Sequence, residues 1–251
     1  GRIKGANSLG GAVYDNGFNV FAFGAMGKQF NDIGMSMANC VRLKFPDLLP
    51  EVIVDVGCTI GHNTLPWKET FSSAEVYGLD LAGPCLQYAH ARAEAMNIKA
   101  HFRQASAQEL PFNDESVDIL FSSMFLHEMP VKEIRKFMDE TFRVLKKGGV
   151  MIHMELPPND SLSPYDAFYL DWDSYYNNEP FYKTFRDLGY RDLCSTAGFH
   201  EKSFFESVMP RFTYVSEEFF EAAVSADASF DENTGRLSDG IQWYGFGSRK
   251  D

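Results

Sequence analysis

Cysteine is scarce in this chain: Cys40, Cys58, Cys85 and Cys194 stand far apart, and no two form a C-x-x-C pair. That excludes a disulfide framework and a zinc ribbon, and it points to a reducing, cytoplasmic address. Positive charge is also short. Against 35 Asp and Glu there are 23 Lys and Arg, a formal net charge of −12. Binding nucleic acid needs a basic face, so a small molecule is the expected partner instead. No apolar run approaches the length of a membrane span, and the opening GRIKGANSLGGAVYDNG lacks the apolar centre of a secretory signal. Neither a membrane nor export is expected. Beginning at Gly1, the chain reads as a trimmed polypeptide or as a domain cut from a longer one, a monomer or homodimer in either case. Internal repeats and low-complexity tracts are missing too.

What is present suffices for a large core: 251 residues, 45% of them apolar, fit one α/β domain with a cap. From residue 51 short strands alternate with helices. VIVDVG (52–57), AEVYGLDL (74–81), AHFRQAS (100–106), SVDILFSSMFL (116–126) and VMIHMEL (150–156) read as strands. Between them, CLQYAHARAEAMN (85–97) repeats apolar residues at helical spacing. VKEIRKFMDETFRVLKKGG (131–149) does the same, with lysines in its last turn and Gly148 as its stop. Strands separated by helices imply parallel pairing with both faces covered. The last third differs. A helix near 184–196 precedes two strands, 199–208 and 240–248, without a helical signal between them, which suggests an antiparallel pair at one sheet edge. Residues 1–50, including a helix DIGMSMANCVRLKF, form an N-terminal cap; 51–251 form the core, with inserts at 157–183 and 210–239.

The first strand ends in Asp55 and opens into a loop bracketed by Gly57 and Gly61. Glycine lets a backbone turn sharply and come close to a ligand, and the helix start at His62–Asn63–Thr64 offers N–H groups to an anion. Alone this is weak, since a tight strand–helix turn uses the same residues. Asp80 ends the next strand some twenty residues on, where a carboxylate accepts from both hydroxyls of a ribose. Together they define an adenosine site, for a dinucleotide or for S-adenosylmethionine. A dinucleotide loop wants G-x-G-x-x-G, and position 59 is Thr.

In order and spacing, VDVGCTIGHNT, VYGLDLAGPCLQYA, RQASAQELPFNDESVDILFSSMFLHEM and TFRVLKKGGVMIHME resemble the class I S-adenosylmethionine-dependent methyltransferases. They are most similar to the branch holding ubiquinone/menaquinone and natural-product enzymes. The resemblance implies a Rossmann-like, seven-stranded, mostly parallel sheet of order 3-2-1-4-5-7-6 with helices on both faces. It also implies methyl transfer to O, N or C of a small organic acceptor, with S-adenosyl-L-homocysteine as product. Asp55, Gly57, Cys58 and Gly61 would cradle the methionine part, Asp80 the ribose and Leu81 the adenine, with Ser106, Ala107 and Gln108 at its rim and Ser123 nearby. Relatives usually carry an acidic residue at position 106; serine accepts more weakly. His62 either touches the cofactor carboxylate or faces solvent. A cofactor-bound protein running a non-methylating reaction, and a non-catalytic module, remain open as other classes.

Methyl transfer asks mainly for positioning, exclusion of water and a proton acceptor. His127, Glu128 and Glu155 are the candidates past strands four and five, while His153, deeper in its strand, reads as a core histidine. Residues 157–180 carry six aromatic and five acidic residues with no Lys or Arg. Three readings stand. In the first, Tyr165, Tyr169, Trp172, Tyr175 and Tyr176, with Phe30, wall an acceptor as a lid. In the second, the aromatics pack on the core. In the third, Asp166, Asp171, Asp173 or Glu179 joins His127 or Glu155 around a metal. No tight ligand spacing appears, so no metal is assigned.

Overall fold

The apolar run at 52–56 is the centre of the molecule. Seven strands form one sheet: β1 (Val52–Val56), β2 (Glu75–Asp80), β3 (His101–Gln104), β4 (Val117–Ser123), β5 (Leu145–Glu155), β6 (Phe204–Pro210) and β7 (Gln242–Arg249). Their order is β3-β2-β1-β4-β5-β7-β6. The first five pair in parallel, and β7 runs antiparallel to both β5 and β6. The computed structural model describes residues 9–22, 24–226 and 242–251. Residues 227–239, part of the expected second insert, lie outside them, as do residues 1–8 of the expected cap.

Alternation along β1 sends neighbouring side chains to opposite faces. Val54 and Val56 join Leu120, Met151, Phe137 and Leu193 on one side, where helices α5 (Val131–Val144) and α8 (Tyr190–Thr196) pack. Ile53 joins Phe121, Ile152, Met37, Trp67 and Phe220 on the other, beneath α2 (Asp32–Lys44), α3 (Leu65–Thr70) and α9 (Glu217–Ser225). Asp32, fully buried at the start of α2, accepts from Trp243 Nε1 at 2.7 Å and Thr213 N at 2.9 Å, and pairs with Arg211 at 3.2 Å. It ties the N-terminal region to the last strand.

Four local expectations are corrected. Helix α5 stops at Val144 and does not continue to Gly148. Lys146 leaves it for Asp118 and Glu51, and the carbonyls of Phe142 and Leu145 are met by Lys250 Nζ, at 2.8 Å each, from the far end of the chain. The fourth strand ends at Ser123 because Met124 adopts a positive φ of 48° and turns the chain. A helix, α9, does stand between β6 and β7. An unforeseen helix, α1 (Leu9–Phe21), precedes the rest. Its three glycines and two asparagines make it a poor helix former, so tertiary contacts hold it. Asp15 accepts from Tyr88 Oη at 2.6 Å and pairs with Arg92 at 3.3 Å, both on α4 (Gly83–Ala95).

This topology brings the carboxyl ends of β1, β2, β4 and β5 to one edge. The chain crosses from one half of the sheet to the other between β1 and β4, the place where open α/β sheets bind ligands.

Candidate functional site

At that edge lies a cavity of about 420 Å³. Wider clefts exist, such as one of about 780 Å³ beside Arg42, Pro46 and Glu51, but that one sits at the opposite end of β1. The loop after β1 forms the cavity floor. Gly57 (φ 80°) and Gly61 (φ 75°) take backbone angles that favour glycine, and each also lies against a ring. A Cβ on Gly57 would come within 2.4 Å of Phe125, and one on Gly61 within 2.8 Å of Phe102. The Gly57 and Cys58 amides donate to Leu79 O at 2.8 and 3.0 Å, and Thr59 N donates to Asp80 Oδ2 at 2.9 Å. Asp80 Oδ1 accepts from Ala82 N at 2.7 Å. The loop is therefore bolted to the end of β2, and Asp80 is held in place by two amides with lone pairs to spare.

Asp55 is buried and accepts from Thr64 Oγ1 at 2.5 Å. Burial pushes its carboxyl up to about 7, against the Thr64 bond. His62, packed against Tyr14 and Phe18 of α1, is held neutral: burial pulls it down to about 4, and its Nδ1 has no partner among the described residues. Asn63 joins the floor to the walls, donating to Ser123 Oγ at 2.7 Å and accepting from Gly34 N at 3.2 Å.

Past β4, a 3₁₀ turn (Leu126–Glu128) is organised by Glu155. Glu155 Oε1 accepts from Phe125 N at 2.7 Å and Leu126 N at 2.6 Å, and Oε2 lies 2.7 Å from His127 Nδ1. Glu155 is 1% exposed and His127 4%. Burial opposes the charged ring, but Glu155, helped by Glu128 and Glu179, outweighs it and raises the His127 pKa above the ordinary value. His153 is buried against Phe137 and Phe246 with Nδ1 2.8 Å from Ser122 Oγ, and burial lowers it to about 3. It is a core residue, although its Nε2 lacks a partner among the described residues.

Of the residues proposed from the sequence, Asp55, Gly57, Cys58, His62, Asp80, Ser123, Glu128 and Glu155 line the cavity. Gly61, Leu81, Ser106, Ala107, Gln108 and His127 do not. Gly61 is covered by Phe102. Leu81 is 66% exposed beside the mouth, and the Ser106 hydroxyl donates to Gln108 Oε1 at 2.6 Å. Of the residues expected in a lid, Tyr165, Tyr169, Trp172, Tyr175 and Tyr176 on α6 (Pro164–Tyr176) are exposed and do not line the cavity, and Phe30 lies against Phe18 of its wall. The walls come instead from Tyr14, Phe18, Met26, Ile33, Met154, Trp243 and Tyr244. Sequence reasoning missed these. Only the Tyr14–Phe18 spacing of four carried a local sign, and Trp243 is placed by Asp32, distant in sequence.

Residues 53–149 match the model of a methyltransferase domain family. Over 109 residues the chain is 34% identical to demethylmenaquinone methyltransferase of Thermus thermophilus, covering 43% of this chain and 49% of that protein. Over 173 residues it is 28% identical to malonyl-[acyl-carrier protein] O-methyltransferase 1 of Coxiella burnetii, covering 67% and 56%. A solved structure from Nostoc punctiforme, described as an O-methyltransferase candidate, superposes with a TM-score of 0.62 at 18% identity. It covers 91% of this chain and 59% of that one. Across residues 53–149 the chain is therefore similar to methyltransferase domains.

The chain spans about half the length of the curated relatives it matches, and these fall in more than one branch, so the ubiquinone/menaquinone branch is not singled out. The methyltransferase domain's cofactor is S-adenosylmethionine, and the cavity suits it. Among the lining residues are four carboxylates (Asp55, Asp80, Glu128 and Glu155) and no Lys or Arg. That wall welcomes a sulfonium and repels a pyrophosphate. Asp80 and Asp55 would hold the ribose and methionine ends, and the neutral His62 could donate to the carboxylate.

Proposed function

We propose that the chain transfers a methyl group from S-adenosylmethionine to an oxygen, nitrogen or carbon of a small organic acceptor of secondary or cofactor metabolism. The observation that carries this reading is the single cavity joining the Gly57 loop and Asp80 to an apolar end formed by Met26, Ile33, Met154 and Trp243, with acidic walls and no cation. When bound, the cofactor supplies an electrophilic methyl. The protein's share is to align a nucleophile with it and keep water out.

The apolar end does the second, and α1 closes the cavity with Tyr14 and Phe18. Glu128 stands on the wall with no hydrogen bond to its side chain among the described residues, where a proton lost from the acceptor would go. Glu155 is a positioning residue: both its oxygens are engaged in shaping the turn that carries Glu128. The names of the relatives, a demethylmenaquinone methyltransferase and a malonyl-[acyl-carrier protein] O-methyltransferase, support an organic acceptor.

The test is incubation with methyl-labelled S-adenosylmethionine and a panel of quinol, phenol, amine and carboxylic acceptors. Label appearing in an acceptor is the expected outcome. An altered acceptor with the cofactor unchanged would assign the site to a different reaction.

A further inference from the structure

We propose that His127, Glu128 and Glu179 form a binding site for one divalent cation at the rim of the cavity. One ring nitrogen and one oxygen from each carboxylate lie within 4.8 Å of one another. An ion with bonds of about 2.1 Å holds neighbouring ligand atoms roughly 3.0–3.4 Å apart, so the two glutamate side chains must close by about an ångström or more to complete the contacts. Both glutamates have that freedom. Glu128 is exposed, Glu179 half-buried, and neither side chain is paired with a Lys, an Arg or a hydrogen-bond donor among the described residues.

Carboxylates gathered on a surface do not by themselves make a site; the imidazole does. His127 is 4% exposed, and Glu155 takes its Nδ1 proton at 2.7 Å. In the neutral ring that donates Nδ1–H to Glu155, Nε2 carries the lone pair, and an ion there would take the place of the proton that the carboxylates otherwise favour. A buried histidine whose second nitrogen is held by a carboxylate is the arrangement that orients metal-binding imidazoles. The ring cannot drift, because Tyr182 of α7 (Tyr182–Arg186) packs its edge at 4.7 Å and Glu155 is itself fixed by two amides. Glu179, in the loop between α6 and α7, is brought to the ring by the same packing. One nitrogen with two oxygens suits a first-row ion such as Mn²⁺ or Zn²⁺ better than the all-oxygen preference of Ca²⁺.

Glu128 also lines the cavity, so an ion there would meet an acceptor oxygen and lower the pKa of its hydroxyl. Glu128 then serves as a ligand, and the proton leaves to solvent. This role rests on the methyl-transfer reading; the site does not.

The test is a titration of the full chain with Mn²⁺, followed by electron paramagnetic resonance, with and without S-adenosylhomocysteine. One ion per chain is expected, with affinity at least tenfold weaker in E179Q and in E128Q. Ion-free melting of both variants should be no lower than that of the parent, since each removes one of two crowded like charges. No saturable binding at about millimolar Mn²⁺, or equal affinity in parent and E179Q, would overturn the site whatever the methyl-transfer assay gives.

Discussion

Segments 9–33 and 157–183 both carry clustered aromatic rings, yet they use them in opposite ways. Tyr14 and Phe18 of α1 lie on His62 and close the cavity, whereas Tyr165, Phe168, Tyr169, Trp172, Tyr175 and Tyr176 stand in solvent. The anchors account for the difference. Helix α1 is latched to α4 through Asp15, which turns its rings inwards. Helix α6 instead buries Asp166, Leu170 and Ser174, one short stripe at fourfold spacing. Ser163 caps its start, accepting from Asp166 N at 3.1 Å, and its Asp171 is seized by Arg186 at 2.6 Å and Lys183 at 3.1 Å. With its polar stripe pinned down, the aromatic stripe is left outside. Polar anchoring, more than aromatic content, decides which face of each helix is buried.

The strongest way to break this comparison is Arg186→Ala. Arg186 is 1% exposed and bonds both Asn159 and Asp171. Its loss leaves a void and strips Asp171 of a partner, costing roughly 3 kcal/mol. For a chain of this size that lowers the melting temperature by roughly 6–12 °C. Affinity for S-adenosylhomocysteine should stay within about twofold; a parallel collapse would mean that the insert does serve the cavity.

Asp55→Asn sharpens the other side, beneath α1. The folded-state pKa of Asp55, raised to about 7, lies above the ordinary carboxylate value near ~4 of the unfolded chain. Its contribution is then fully present below pH ~4 and is lost as pH rises through the folded value near 7. The asparagine variant, which keeps an acceptor for Thr64, should gain on the parent as pH rises, by about 2–3 kcal/mol between pH ~5 and ~8. Thermal melts across that range read this directly, and a constant gap would refute it.

The smallest effect is the most pointed. Replacing Tyr14 and Phe18 together by alanine should weaken S-adenosylhomocysteine about tenfold, while the same change at Trp172 and Tyr176 should leave it untouched. Calorimetry with the two double variants gives the comparison; equal losses would erase it.

Legibility in the sequence followed range. Strand β1, Asp55, the Gly57 loop and Asp80 are local patterns in which a short run of residues carries its own geometry, and the structure sets Asp55, Gly57 and Asp80 on one cavity. Strand order was readable from alternation and the resemblance together. What escaped depends on partners far along the chain. Glu155 was read as a site group, but its oxygens meet amides and a ring some 30 residues away, at Phe125, Leu126 and His127. Lys250 replaces the local lysines at the end of α5, and Asp32 gathers Arg211, Thr213 and Trp243. The exposure of the α6 aromatics was hidden for the same reason: nothing in that helix announces the pairing of its Asp171 with Arg186, ten residues beyond its end.

Isothermal calorimetry on the full chain, comparing S-adenosylmethionine, S-adenosylhomocysteine, NADH and ATP, meets the central claim most directly. Both adenosyl sulfur compounds should bind with affinities near the micromolar range, weakened at least tenfold by Asp80→Ala, and the two phosphates should give no heat. Heat from NADH or ATP with silence from the sulfur compounds would contradict the account.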